Sequence, residues 1–205
     1  MAADAAPMHI LLCCNANYFQ HLAVLVTSIA EQTTTRPIHF VVANDQVNPE
    51  AEQKVTLPLA RYPNITLRFH RFQFDPAVSL PTRIHYTRDT YTRVWVGDFF
   101  DETVERVLYL DCDAVTAGSL EPLWTTPLNG NTIGAVSIPG STRPALLRIP
   151  EALGYFNSGV LLIDLVRWRQ TGAFQRLLDY IAGNPEVLID ADQDALNALL
   201  CAERL

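Results

Sequence analysis

Charge is scarce in this sequence. Of its 205 residues, 18% are Asp, Glu, Lys or Arg, against 49% that are apolar. That balance excludes a disordered chain or a coiled coil, both of which need far more charged positions, and it leaves enough apolar side chains for a sizeable core. The charge present is mostly negative: 22 acidic residues face 15 Lys and Arg, for a net −7. Nucleic-acid binders ordinarily carry a basic face, so this balance argues against that class. Cysteine is limited to Cys13, Cys14, Cys112 and Cys201. They form no C-x-x-C and no Cys/His spacing of the zinc type, and sequence neighbours such as Cys13 and Cys14 rarely pair. Free thiols in a reducing cytoplasm are therefore expected. No apolar run reaches the roughly 20 residues a membrane span needs. The stretch from Met1 to Pro7 is short and polar and lacks the positive charge that opens a secretory leader. The expectation is a cytoplasmic protein, with any membrane contact peripheral and at the inner face.

The length fits one domain, taken as residues 1–205. Met8 to Cys14 reads as a short, fully buried strand. Asn15 to Asn17 breaks it, and a helix follows from about Tyr18 to Gln32, with Leu22, Leu25, Val26 and Ile29 on one face. A strand over Ile38–Ala43, a helix over Pro49–Arg61 and a strand over Ile65–Phe69 come next. This β-α-β-α-β alternation predicts an α/β fold with a mostly parallel sheet covered by helices on both faces. Arg71 to Asp89 reads as loop, and Thr90 to Phe100 as helix. Further strands are expected at Arg106–Leu110, Thr132–Ser137 and Asn157–Ile163, and further helices at Phe174–Ala182 and Asp192–Cys201.

Four groups of residues could carry chemistry. In YLDCD (Tyr109–Asp113) a hydrophobic strand ends on two carboxylates one residue apart, Asp111 and Asp113, flanking Cys112. Ligands gather at the carboxyl ends of strands in open α/β sheets. Two acids there can hold a hard divalent cation that bridges phosphate oxygens. An acidic protein that binds an anionic nucleotide needs such local positive charge. The plainer reading is that Asp111 caps a turn and Asp113 is solvated. Asn15 and Asn17 at the end of the first strand could read a base or ribose, or simply make a turn. Arg93 lies among core-type residues Tyr91, Val94, Trp95 and Phe99. It is either a solvated or snorkelling surface residue or a clamp on phosphate or on the metal-site carboxylates. In DADQDALN (Asp190–Asn197), Asp190 and Gln193 have the spacing of a helix-start capping pair. Asp192 and Asp194 would be acids favoured by the helix dipole.

In order along the chain, CCNANY (Cys13–Tyr18), TYTR (Thr90–Arg93), VLYLDCDAV (Val107–Val115), L-x-P-L-W (Leu120–Trp124), YFNSGVLLIDLVRWR (Tyr155–Arg169) and DQDALN (Asp192–Asn197) resemble glycosyltransferase family 8. That family includes bacterial lipopolysaccharide galactosyl- and glucosyltransferases and glycogenin. The resemblance implies a glycosyltransferase A-type fold and retaining transfer of glucose or galactose from a UDP-sugar to a saccharide or glycolipid, with Mn²⁺ or Mg²⁺. By position, Asp111 and Asp113 match the metal ligands. Cys13, Asn15 and Asn17 match residues around uracil and ribose, with Cys112 beside them. Arg93 matches a basic residue near the diphosphate and donor sugar. Asn157 and Ser158 match the sugar pocket, Asp192 a residue that hydrogen-bonds the sugar, and Gln193 the group facing the anomeric carbon. The family's H-x-x-G-x-x-K-P-W segment does not occur, the GAVSIPG stretch (Gly134–Gly140) offers no Asp to hold the sugar, and Asn15 stands where Asp is common. Weak donor binding and slow turnover are expected without that segment, which would also carry any membrane contact. The alternatives are a non-catalytic UDP-sugar binder or a fragment. A haloacid-dehalogenase-like phosphatase also uses a strand followed by DxDxV, but near its N-terminus.

Overall fold

The computed structural model describes residues 6–33, 36–82 and 87–205. The expected loop from Arg71 to Asp89 includes residues 83–86, and the reading of the first seven residues includes 1–5; both sets lie outside the described residues. The chain divides into two compact units. The first comprises residues up to Gln73 and Val107–Pro127, the second Phe74–Arg106 and Leu128–Leu205.

The first unit is built on four parallel strands: β1 (Met8–Cys13), β2 (Ile38–Asn44), β3 (Ile65–Arg71) and β4 (Arg106–Asp111). β1 lies between β2 and β4, and β3 pairs with the far side of β2. Ile10, Leu11 and Leu12 of β1 are completely buried. Their unbroken apolar run is what a central parallel strand with two covered faces requires. Helix α1 (Phe19–Gln32) buries Leu22, Leu25, Val26 and Ile29, the stripe expected from the sequence. The helix expected over Pro49–Arg61 is α2 (Pro49–Thr56) continued by a 3₁₀ turn over Leu57–Arg61. Asn48 caps α2 by accepting from the Ala51 amide at 3.1 Å. In return Glu52 accepts from the Asn48 amide at 3.1 Å, and Pro49 fills the first turn, where its missing N–H costs nothing.

After β4 the chain is tied back to α1. The Thr116 amide donates to Ser28 Oγ at 3.1 Å, and the Leu120 amide to Thr33 Oγ1 at 3.3 Å. Arg36 and Glu121, at the start of the short helix α3 (Glu121–Trp124), form an ion pair at 2.6 Å. The DCD segment is thus held by a buried strand on one side and by these anchors on the other.

The second unit contains the antiparallel pair β5 (Ile133–Ser137) and β6 (Phe156–Asp164), irregular between Ala135 and Ser137. Around it are α4 (Arg143–Leu147), α5 (Leu165–Gln170), α6 (Ala173–Gly183) and α7 (Ala191–Leu200). α6 buries Ala173, Leu177 and Ile181 at four-residue spacing. Arg169 of α5 donates to the carbonyls of Phe100 at 3.0 Å, Asp101 at 2.9 Å and Val104 at 3.2 Å.

One expected element takes another form. Thr90–Phe100 is not an α-helix: Arg88–Phe99 is wound as 3₁₀, with non-helical torsions at Trp95. Thr90, Thr92, Val94 and Val96 alternate through it, and β-branched side chains crowd the preceding turn of an α-helix. Tertiary contacts fix the tighter winding. Tyr91 donates to the Pro81 carbonyl at 2.9 Å, and Trp95 packs edge-on against Phe74 and Phe174.

Candidate functional site

The candidate residues fall into one group in each unit. In the first unit, strand register pairs Cys13 with Asp111 at the carboxyl ends of β1 and β4. Asp111 is half-buried and Asp113 exposed. Asp111 is oriented from below: Tyr109, on the same strand face two residues earlier, donates its hydroxyl to Oδ1 at 2.7 Å. The Cys112 side chain turns the other way, and its thiol donates to the Cys13 carbonyl at 3.3 Å. Hydrogen bonding to Cys14, followed by burial, holds the Cys112 thiol well above the ordinary cysteine range. Asn15 Oδ1 accepts from the Asn17 amide at 3.0 Å, and the Asn15 carbonyl from the Tyr18 amide at 3.0 Å. Turn chemistry is therefore present here, whatever else the two side chains do.

Two carboxylates of graded exposure at a strand terminus suit a small hard cation. Magnesium-type ions characteristically take one or two protein carboxylates and complete their shell with water and substrate phosphates. Among the described residues, no cluster of three or more His, Cys, Asp or Glu is arranged to hold a metal by itself. The donor set fits a cation shared with a phosphate ligand rather than a closed protein cage.

In the second unit Arg93 is neither solvated nor snorkelling. It is 9% exposed, and its Nε lies 2.7 Å from Oδ2 of Asp192, which is 1% exposed. Its Nη1 donates to the Ser158 carbonyl at 2.6 Å. The helix-start reading of Asp190 and Gln193 is also corrected. The Asp190 side chain makes no capping bond, and the Gln193 side chain turns to β6. Its Oε1 accepts from the Ser158 amide at 2.9 Å, and its Nε2 donates to the Tyr155 hydroxyl at 3.2 Å. Tertiary partners outcompete the local cap because they satisfy buried groups that water cannot reach. Asp192 and Asp194 do lie in the first turn of α7, but they are not solvent-facing acids there: both are buried and each is matched to an arginine, Asp192 to Arg93 and Asp194 to Arg143.

Three residues that sequence reasoning passed over hold this group together. Tyr155, 2% exposed, donates to Asp194 Oδ1 at 2.7 Å. Burial, and then the carboxylate that takes its proton, push the Tyr155 phenol far above its ordinary range. Arg143 grips both oxygens of Asp194. Asn197, fully buried, brackets β6 by accepting from the Phe156 amide at 2.8 Å and donating to its carbonyl at 2.9 Å. Tyr155 and Asn197 fall inside matched segments, so a signal existed; Arg143 had none. Asn157 is exposed and accepts from the Gly159 amide at 2.8 Å, while Ser158 is buried. A cavity of about 340 Å³ elsewhere in this unit, lined by Asp98, Trp168, Phe174 and Gln175 among others, includes none of these residues.

The model of glycosyl transferase family 8 matches residues 9–204. The chain is 27% identical to general stress protein A of Bacillus subtilis, over 94% of this chain and 69% of that protein. It is 30% identical to lipopolysaccharide 1,2-glucosyltransferase of Escherichia coli, over 91% of this chain but only 56% of the enzyme. In structure it resembles the galactosyltransferase LgtC in complex with donor and acceptor sugar analogues, with a TM-score of 0.84 and 28% identity over 96% of this chain and 72% of that one. The fold is accordingly the glycosyltransferase A-type α/β fold. Among the described residues, no helix is long and apolar enough to cross a membrane.

Proposed function

This chain belongs to glycosyltransferase family 8, and on that premise we propose that it transfers glucose or galactose from a UDP-sugar to a saccharide or glycolipid acceptor, with retention at the anomeric carbon. The reading is supported by the names of its relatives, a glucosyltransferase among them, and by the likeness to a galactosyltransferase. Asp111 and Asp113 are assigned to Mn²⁺ or Mg²⁺, and Cys13, Asn15, Asn17 and Cys112 to the surroundings of the nucleoside. Arg93, Asn157, Ser158, Asp192 and Gln193 are assigned to the donor sugar and its diphosphate linkage. When bound, the cation supplies neutralisation of the charge that develops on the departing diphosphate.

The observation that carries the mechanism is the pairing of both α7 carboxylates. A carboxylate nucleophile needs an available lone pair and little competing positive charge. Asp192 faces Arg93, and Asp194 is gripped by Arg143 and Tyr155. Gln193, between them, carries an amide, which is a poor nucleophile. Retention then follows from attack on the face the leaving group vacates, with the departing phosphate oxygen taking the acceptor proton. Gln193 supports the electron-poor sugar centre electrostatically. The test is a panel of UDP-hexoses with Mn²⁺, read as UDP release with and without added saccharide. Release from UDP-glucose or UDP-galactose, abolished by EDTA, is expected. No release from any donor would sink the reading.

A further inference from the structure

We propose that Tyr155, backed by Asp194 and Arg143, is a positioning residue that locks the Gln193 side-chain amide in one of its two orientations. The proposal rests on the reading above, in which Gln193 serves the donor sugar. An amide's two ends have nearly the same shape and differ only in hydrogen bonding: the oxygen accepts and the nitrogen donates. In this network every direction is forced. Asp194 is completely buried and receives the Arg143 guanidinium, with Nε at 3.1 Å, and the Asp190 amide at 2.7 Å. An ionised carboxylate can only accept, so the single Tyr155 hydroxyl proton, 2.7 Å from Oδ1, is committed to it. The Tyr155 oxygen then offers only lone pairs to Gln193, 3.2 Å away, and the amino end must face it.

The opposite end gives the same answer independently. The Ser158 main-chain N–H, 2.9 Å away, can only donate, and so requires the Gln193 oxygen. Reversing the amide would set N–H against N–H at Ser158 and a carbonyl against a phenol oxygen with no proton to give. Both bonds would become repulsions. The glutamine main chain is pinned as well, because Asn197 Nδ2 donates to the Gln193 carbonyl at 2.9 Å. A dipole fixed in this way has no reorganisation left to do when positive charge develops at a sugar carbon, the condition under which electrostatic support is most effective. Without the phenol hydroxyl, one of the two restraints on amide direction is gone, while the ring that fills the core remains.

The experiment is Tyr155→Phe in the full chain, with two readouts. The first is NMR of the ¹⁵N-labelled side-chain amide of Gln193, assigned by its disappearance in Gln193→Leu. The parent protein should give two well-separated proton signals that exchange slowly with water. In Tyr155→Phe they should converge and exchange at least tenfold faster. The second is steady-state UDP release. The variant's kcat should fall at least tenfold, with KM for the UDP-hexose within twofold and a thermal midpoint well above the assay temperature. Arg143→Lys, which keeps the charge but loses the two-pronged grip, should fall between the two in both measurements. Unchanged Gln193 signals in Tyr155→Phe would overturn the proposal whatever the kinetics. Altered signals with unchanged kcat would overturn it too, reducing Tyr155 to a packing residue. If the parent protein releases no UDP from any donor, the transferase reading fails, and the amide signals alone decide whether Tyr155 locks Gln193.

Discussion

Arg93 and Asp192 form a nearly water-free ion pair, 2.7 Å apart, with side chains 10% and 1% exposed. Removing one member of such a pair strands the other's charge in a poor solvent, which costs about 3–5 kcal/mol. Arg93→Ala should therefore lower the thermal midpoint by roughly 10 °C, taking about 2–4 °C per kcal/mol for a chain of this size. Replacing both members together with Arg93→Met and Asp192→Leu should recover most of that loss, because no charge is left unpaired. Calorimetric scans of the single and double variants check this. A double variant no more stable than Arg93→Ala would show that the pair is not the source of the stability.

Asp111→Asn and Asp113→Asn should separate ligand binding from folding. Both side chains stand at the open end of β4, half-buried and exposed respectively, so the thermal midpoint should move by only a few degrees. A charged contact is worth about 1.5–3 kcal/mol, so each substitution should weaken Mn²⁺-dependent UDP binding by roughly ten- to a hundredfold. Titration calorimetry with and without Mn²⁺ measures it. Equal affinity in parent and both variants would show that these residues hold no cation.

None of the four cysteines forms a disulfide; Cys13 is partly exposed, while Cys14, Cys112 and Cys201 are buried. A colorimetric thiol reagent should find about one fast-reacting group in the native protein and four after denaturation. Cys112 should be among the last to react, since a neighbouring thiol and burial both disfavour its thiolate, the reactive species. Fewer than four groups in denaturant without reductant would reveal a disulfide.

Alkali should act through Tyr155. Its phenol is held above the ordinary value of 10.0 in the folded protein, so the unfolded chain loses this proton first. Stability from this group is complete below about pH 10 and falls as pH rises beyond it, by at most about 1.4 kcal/mol per pH unit. Urea midpoints measured from pH 8 to 11 should decline less steeply in Tyr155→Phe than in the parent protein. Identical slopes would mean that the phenol titrates normally.

The buried parallel strands are legible in the sequence because burial on two faces demands an unbroken apolar run, which MHILLC, IHFVVAN and RVLYLD each supply. The carboxylates at the end of β4 are legible for the same reason: the run stops at a defined point. The second group is only half legible. Arg93 stands out by its apolar setting and Gln193 only through the family resemblance, and what holds them lies far along the chain. Tyr155 meets Asp194 across 39 residues, and Arg143 meets it across 51. No local pattern announces such contacts, and the local pattern that is present, an apparent helix cap at Asp190, points elsewhere. The 3₁₀ stretch from Arg88 to Phe99 escapes for a related reason: periodicity marks its buried face, while the winding is set by partners such as Pro81 and Phe74.

The discontinuity of the first unit bears on how the protein is made. β1, β2 and β3 leave the ribosome together, but β4 follows only after some thirty further residues that belong to the other unit. At ordinary rates of synthesis that is an interval of a few seconds. Throughout it, the side of β1 that will receive β4 presents an unpaired row of backbone donors and acceptors flanked by Ile10, Leu11 and Leu12. Such an edge invites pairing with another chain. Nascent chains stalled near residue 100 should therefore be the aggregation-prone species. The last strand to join the sheet is also the one that brings Asp111 beside Cys13, so the two come together only when this edge closes.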